Sequence, residues 1–509
     1  MHDSRAARQA LAILAGTTLL RLVVGAIVPL FPDETYYWDW SRTLASGYFD
    51  HPPIIALLIR AGTAIFGDTA LGVRFFPILA GTGAALGLMQ SARVMAGDDA
   101  ANLATRVFVC LPLATVGLVL ATPDAPMLCA AAWTMYAVIR ALRPGDIPRS
   151  LDWWVLAGIC AGLAMASKYT AVLLPAALAL AFVSHPRLQN KFGEPGPWLA
   201  VLVASLVMAP VLWWNAAHDW VSFRFQLGHG FGDPKGGALG LVNRELELIA
   251  GQIGLVSPIL IYFLVRAIKR SMDPTPDGVR LALGVVSACC LVFFLFSATR
   301  RSVEANWPAI AWLPAVVLLA TEPMETWRAE RWLKHGLALG AVLSLVVYAH
   351  VLYPILPIPA PRDQIAKAFG WELLADRLEK RRQFLTSRAS FGTGDFFFAA
   401  ERYQDASEIA FHLPGHPPVF SLNLVGRSNQ YDLRPAFRDR APVGATMLLV
   451  LDDETNEPRV IRKLTCCFRR IDQGEMVALV RNDAVSAKKR LWLLSGWNGD
   501  WPRRDQPFP

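Results

Sequence analysis

The sequence predicts a polytopic α-helical membrane protein of about eleven spans, followed by a small α/β domain outside the membrane. Three observations lead there. Apolar residues make up 54% and charged residues 18% of the 509-residue chain, too greasy a balance for a soluble protein of this size. The apolar residues come in blocks of about twenty, the length that crosses about 30 Å of hydrocarbon. After Tyr353 the blocks stop, and short apolar runs separated by polar turns take over.

Arg5 and Arg8 precede the first apolar run, about 11–30. The run is long and no small-x-small cleavage site follows, so it reads as a retained span rather than a signal peptide. Apolar windows then place spans near 9–30, 69–93, 101–120, 125–142, 151–167, 169–184, 197–214, 247–267, 279–298, 305–320 and 336–353. Basic residues fall in alternate loops: Arg93 and Arg106, Arg140 and Arg143, Arg266, Lys269, Arg270 and Arg280, then Arg328, Arg331 and Lys334. That side is cytoplasmic by the positive-inside rule, and the formal charge of +8 therefore needs no nucleic acid. The opposite face receives a long first loop (about 31–68), the turn at 122–124, Lys168, the loop at about 215–246, Arg300 and Arg301, and everything after about 354. Five of the seven cysteines sit inside apolar segments as small hydrophobes, Cys466 and Cys467 are adjacent, and no metal-type spacing occurs.

Three domains follow: 1–353 in the membrane, a linker and amphipathic helix over 354–382, and an α/β domain over 383–509. Pro354, Pro357, Pro359 and Pro361 stiffen the linker. Apolar runs at 396–400, 419–422, 447–451 and 476–480 read as strands, and the aromatic, basic tail from Leu491 to Arg504 reads as a segment for the membrane interface.

The chemistry-bearing residues gather at the external ends of spans. Asp33-Glu34 follow Pro32 in what reads as a first helical turn, where acids are favoured by the helix dipole by about 0.3–1 kcal/mol. Beyond capping, a carboxylate within reach of an acceptor hydroxyl is a general base. Asp33 is the candidate, with Glu34 orienting the acceptor or holding a divalent metal, for which two adjacent acids are slender grounds. Tyr36, Tyr37, Trp38 and Trp40 suit an aromatic belt, and their faces also suit a sugar ring. His51, ahead of Pro52-Pro53, is able to face a phosphate. Asp124 either caps the helix it begins or supplies a second carboxylate on the same side as Asp33. Lys168 interrupts an apolar run from 155 to 183, at a cost of roughly 2.5–3.5 kcal/mol if buried alone, and an ammonium is a natural partner for phosphate. Asn215, His218 and Arg224 sit among tryptophans that anchoring explains, although anchoring does not explain the three polar groups. Arg300-Arg301 reverse the charge rule and can chelate a phosphate, with Glu304, Asn306 and Trp307 close by in sequence, unless Glu304 merely bridges one of them. Arg74 lies just inside the second span and is able to snorkel. No G-x-x-x-x-G-K-[ST], H-E-x-x-H or G-x-S-x-G occurs, so nucleotide hydrolysis and common hydrolase chemistry lose support.

Seven motifs in order carry a family resemblance. They are Asp33-Glu34-Thr35-Tyr36-Tyr37-Trp38, Gly47-Tyr48-Phe49-Asp50-His51-Pro52-Pro53, Ala70-Leu71-Gly72-Val73-Arg74, Thr122-Pro123-Asp124, Ser167-Lys168-Tyr169-Thr170, Trp214-Asn215 to Trp220, and Glu304-Ala305-Asn306-Trp307-Pro308. Over about 9–320 the chain resembles bacterial GT-C membrane glycosyltransferases of the family 39, PMT-like group. That group includes protein O-mannosyltransferases, lipid A aminoarabinose transferases and rhizobial lipopolysaccharide galacturonosyltransferases. The C-terminal region adds only a match at Gly426-Arg427-Ser428-Asn429-Gln430-Tyr431-Asp432.

The resemblance implies a GT-C fold, a polyprenyl-phosphate-sugar donor taken from the outer leaflet, and an inverting transfer on the extracytoplasmic side of a bacterial inner membrane. It puts Asp33 and Asp124 in the places of the two acids and Lys168 in that of a base near the lipid phosphate. The reading of the residues themselves adds Tyr37, Tyr48, Asn215, His218, Glu304, Asn306 and Trp307 as candidates to border the substrate, and Arg74, His51, Arg300 and Arg301 the donor phosphate. His51 departs from the Lys-Pro-Pro of the aminoarabinose transferases, which argues against their donor and acceptor here. The acceptor class is lipopolysaccharide, another glycan or protein. Two rivals share the lipid-linked substrate: a sugar flippase, which calls for mid-bilayer polar groups and usually a repeat, and an oligosaccharide polymerase or ligase, which moves a longer glycan.

Overall fold

The computed structural model describes residues 4–143, 150–232, 237–273, 277–323, 326–388, 396–452 and 457–505. The chain divides into two compact units, one of Met1–Ile27 with Leu44–Ala349 and one of Val28–Thr43 with His350–Pro509.

The first unit is helical. Among its described residues, and with the helix that runs into the second unit, seven helices are long and apolar enough to cross a membrane: Arg5–Ile27, Ala70–Cys110, Asp124–Leu142, Ser150–Ser167, Pro195–Ala217, Gly278–Ala298 and Trp327–Leu352. A bent pair, Gly237–Val256 with Pro258–Ser271, makes an eighth if it is one span. Three shorter apolar helices, Ile54–Phe66, Tyr169–Ser184 and Ala309–Ala320, accompany them. The chain is a multi-pass membrane protein by these lengths and compositions.

The breaks have local causes. Ala96 and Gly97 leave helical geometry (Gly97 at φ 85°), so Ala70–Cys110 is two helices joined at a sharp corner. The expected span at 101–120 stops at Cys110, because Leu111 precedes Pro112 and takes the extended conformation such residues favour. The expected span at 247–267 turns by 100° where Ser257, at φ 76°, meets Pro258. Ala309–Ala320 is buried along its whole length, as an all-round apolar helix in the middle of a bundle must be. Pro195–Ala217, by contrast, exposes Val201, Leu202, Leu206 and Trp213, the surface a lipid-facing helix presents. Ser150–Ser167 packs closely against it through Gly158 and Gly162, where an added Cβ would lie 2.5 Å from the Ala200 carbonyl and 2.6 Å from Val207.

The second unit is built on a five-stranded sheet of β1 (Phe396–Ala400), β2 (Val419–Ser421), β3 (Thr446–Asp452), β4 (Phe468–Arg481) and β5 (Ala484–Trp497), in the order β2-β1-β3-β5-β4. The first three strands run parallel, with Tyr403–His412 as the crossover from β1 to β2, and the last two are antiparallel. The expected amphipathic helix begins at Trp371 rather than 363: Gly370 sits at φ 91°, a conformation that ends regular structure. The expected interfacial tail is instead β5 and the irregular segment after it. Leu491 and Trp497 are buried, and Trp501 packs 5.3 Å from Phe437 in the domain core.

Candidate active site

Within the helical unit, Asp124 begins its helix directly after Pro123, and both of its carboxylate oxygens are taken. Lys168 Nζ donates to Oδ1 at 2.7 Å and Asn306 Nδ2 donates to Oδ2 at 2.8 Å. Asp124 and Lys168 are both buried. A buried charge persists only when paired and hydrogen-bonded, and this arrangement meets both demands. Lys168 can sit there because Ser150–Ser167 ends beside it: Lys168 is extended (φ −153°, ψ 129°), which separates that helix from the turn at Tyr169–Val172.

The neighbouring residues extend the cluster. The hydroxyl of Tyr169 accepts from Asn215 Nδ2 at 3.1 Å, and its ring lies 4.8 Å from Phe223. Asn215 also donates to the Val211 carbonyl, and its buried Oδ1 has no hydrogen-bond partner among the described residues. His218 stacks on Trp214 with ring centroids 4.1 Å apart. Gly47 lies against the same Trp214, where a Cβ would come within 2.6 Å of the indole. Ser222 donates to the Tyr48 carbonyl at 2.7 Å and Gln226 to the Asp50 carbonyl at 2.6 Å. On the other flank, Gln252 donates to the Ala305 carbonyl and accepts from the Trp312 indole.

Contacts thus tie five of the sequence motifs together: 47–53, 122–124, 167–170, 214–220 and 304–308. Sequence reasoning did not single out Ser222 and Gln252. Each is an uncharged polar side chain bonded mainly to a main-chain carbonyl, and no local pattern marks such a role.

Arg74 is buried and donates to the Gly25 carbonyl at 3.0 Å. Arg300 is exposed and lies 5.8 Å from the Phe296 ring, while Arg301 packs against Gly232. Glu304 is exposed, and Trp307 is half-buried. Tyr48 is buried, with its hydroxyl accepting from Ala45 N at 3.1 Å, and His51 is half-buried with its carbonyl accepting from Tyr48 N.

The Asp33 motif belongs to the second unit. Its helix, Pro32–Ser41, exposes Asp33 in the first turn, while Glu34 is buried and accepts from its own Phe31 N at 3.0 Å, half of a capping box. Among the described residues no group of three His, Cys, Asp or Glu side chains could hold a metal ion. The aromatic residues expected at the membrane interface are buried in protein here. Tyr36 lies 4.3 Å from Tyr403 and 6.1 Å from Tyr431, and its hydroxyl accepts from Gln430 N at 2.7 Å. Trp38 packs edge-on against Phe411, and Tyr37 is buried against Trp40. Thr35 and Ser407 share a hydrogen bond of 3.1 Å. Arg434 pairs with the Asp39 carboxylate and donates to the Asp39 carbonyl at 3.0 Å. The loop that carries Gly426 to Asp432 is therefore a cradle for the acidic helix. Asn429 caps its short helical turn, and Asn423 Nδ2 braces it through Asp432 at 2.9 Å and the Arg427 carbonyl at 2.8 Å.

A family model described as dolichyl-phosphate-mannose-protein mannosyltransferase matches residues 50–214. A lipid A galacturonosyltransferase of Rhizobium johnstonii is 28% identical over 351 residues, 68% of this chain and 72% of that one. The likeness is to GT-C membrane glycosyltransferases. An undecaprenyl phosphate-alpha-4-amino-4-deoxy-L-arabinose arabinosyl transferase of Pseudomonas fluorescens is 30% identical over 223 residues, though the chain spans only 38% of its length. Among solved structures, ArnT from Cupriavidus metallidurans bound to undecaprenyl phosphate superposes with a TM-score of 0.67 at 15% identity, covering 95% of this chain and 97% of that one. The apo oligosaccharyltransferase of Archaeoglobus fulgidus follows with a TM-score of 0.54 at 12% identity, covering 87% and 69%. The fold is that of ArnT, and these relatives support a membrane glycosyltransferase.

Proposed function

We propose that this protein transfers a sugar from a polyprenyl-phosphate donor to a lipopolysaccharide or lipid A acceptor on the extracytoplasmic side of a bacterial inner membrane. The observation that carries the reading is the buried Lys168 held by Asp124, whose other carboxylate oxygen is fixed by Asn306. Three sequence motifs widely separated along the chain meet there around one carboxylate–ammonium pair. Support comes from the relative named for lipid A galacturonosyl transfer and from the shared fold of a protein bound to undecaprenyl phosphate.

In this reading Asp124 is the counter-ion that fixes Lys168. Lys168, with Arg74, His51, Arg300 and Arg301, offsets the charge that grows on the departing lipid phosphate. Such stabilisation is worth several kcal/mol when the donors are already in place, about 2.7–4 for a single hydrogen-bond donor. Asp33 takes the proton of the acceptor hydroxyl as it attacks the anomeric carbon from the face opposite the phosphate, which inverts that centre. Glu34 holds the helix turn from which Asp33 projects. The C–O bond to the acceptor forms as the anomeric C–O bond to phosphate breaks, and the lipid phosphate leaves with the bonding electrons.

The test uses membranes supplied with radiolabelled polyprenyl phosphate-sugar. Asp33→Asn should abolish transfer to extracted lipopolysaccharide while leaving the unfolding temperature unchanged. Full retained transfer would remove Asp33 from its role.

A further inference from the structure

The C-terminal unit holds a cavity of about 750 Å³, within the ~300–1,000 Å³ of ordinary ligand sites, that the transfer reaction does not use. It opens at the amino ends of β1 and β2, lined by Phe396, Phe397 and Phe398 on one strand and Val419 and Phe420 on the other. Four guanidinium groups, from Arg42, Arg382, Arg434 and Arg440, line it against two carboxylates, Asp39 and Glu379, a balance of +2 from side chains alone.

Those arginines are not fully spent. Arg382 is engaged by Glu379, Arg434 by Asp39, and Arg42 by Asp39 and the His416 carbonyl, yet each guanidinium carries five N–H donors. Arg440 ends the short helix Phe437–Arg440, is exposed, and has no partner among the described residues. Aromatic residues beside under-used guanidinium groups have a definite chemical complement. Apolar rings accept the C–H face of a pyranose, and guanidinium forks accept phosphate or carboxylate oxygens two at a time. Asp39 borders the cavity, and Asp33 lies about 9 Å along the same helix and about 240° around it. The cavity is therefore a separate place from the face that carries Asp33.

We infer that this cavity binds an anionic saccharide, the phosphorylated or carboxylated sugar portion of the acceptor glycan, away from the reacting centre. The acceptor assignment rests on the glycosyltransferase reading above; the binding site itself does not.

The experiment uses the full-length chain in nanodiscs and measures affinity for a glucosamine disaccharide bearing two phosphates. The same disaccharide without phosphates and inorganic phosphate alone are the comparisons. The phosphorylated disaccharide should bind at least tenfold more tightly than either, and its affinity should fall as salt is raised. Arg440→Glu should weaken it tenfold or more without moving the unfolding temperature, and Arg440→Lys should restore most of the affinity. Equal binding by Arg440→Glu and the parent, equal binding of the neutral disaccharide, or preference for a nucleoside diphosphate would each overturn the site. Transfer assays on the same samples separate the two claims. Binding that depends on Arg440 in a protein that transfers no sugar keeps the site and sinks the enzyme reading. Transfer in a protein whose binding ignores Arg440 does the reverse.

Discussion

Arg434 is the residue whose loss should expose how the acidic helix is held. Its guanidinium pairs with the Asp39 carboxylate and bonds the Asp39 carbonyl, and the Asp39 side chain is only 7% exposed. Arg434→Met removes both contacts and leaves a buried carboxylate with Arg42 as its remaining cation at 3.4 Å. Breaking a fully buried pair costs about 3–5 kcal/mol. The Arg434 side chain is 25% exposed and Arg42 remains, so a discount to about 2 kcal/mol is appropriate. For a unit of this size that is roughly 4–8 °C in unfolding temperature. The helix that Asp39 anchors also carries Asp33, so transfer should fall in kcat, and the acceptor KM should rise because Arg434 also lines the cavity. Arg434→Lys should recover part of both effects, because it keeps the charge and loses the forked geometry. The decisive assay is a double-mutant cycle with Asp39→Asn, read by thermal unfolding and by transfer. Arg434→Met in the Asp39→Asn background should cost much less than in the parent. Additive losses, or an unfolding temperature within a degree of the parent for Arg434→Met alone, would refute the argument.

Three other outcomes follow from the same geometry. Lys168→Met strips Asp124 of its cation and should lower transfer on the order of a hundredfold or more while destabilising the fold by up to about 3–5 kcal/mol; parental transfer would take Lys168 out of the phosphate site. Gly47→Ala forces a methyl into the Trp214 ring and should cost about 1–3 kcal/mol, measured by heat inactivation, and an unchanged inactivation rate would refute the close packing. Burial pushes the Glu401 carboxyl up to about 7, although the N–H groups of Val425, Leu424 and Gly426 and the charge of Arg504 pull the other way. A raised folded-state value means that its contribution is complete below about 4.5 and is lost as pH rises through about 7, an effect of about 3 kcal/mol at most. Glu401→Gln should therefore flatten the decline in unfolding temperature across that window, and an unchanged slope would assign the decline to another group.

Much of the helical unit was legible because lipid imposes a simple code: twenty apolar residues, a polar corner, and bases on one side. Asp124, Lys168 and Asn306 were readable for the related reason that polar groups at span ends need partners. What they bond to was not, since a lone sequence does not say that a carboxylate at 124 will hold an ammonium at 168 rather than merely cap its own helix. The corner at 96–97 falls between the expected spans 69–93 and 101–120, whereas those at 111–112 and 257–258, written in Pro, lay inside apolar windows that averaged over them. The larger miss concerned Tyr36, Trp38 and Trp40. Aromatic side chains beside a span have the composition of an interfacial belt, and only tertiary structure reveals that their partners lie 394 residues further on, at Gln430, or nearby at Tyr403 and Phe411. The tail was misread for a similar reason: Trp497 and Trp501 are as suited to a protein core as to a headgroup layer.

In open α/β sheets, small molecules usually settle beyond the carboxyl ends of the parallel strands. Here the elements leaving those ends, Tyr403–His412 after β1 and the 423–434 loop after β2, grip the helix Pro32–Ser41 of their own polypeptide. A place where relatives of such a sheet would receive a metabolite has become a permanent socket for an internal peptide. Any change that loosens that socket should register as a defect in catalysis, even where the residues altered lie away from the reacting centre.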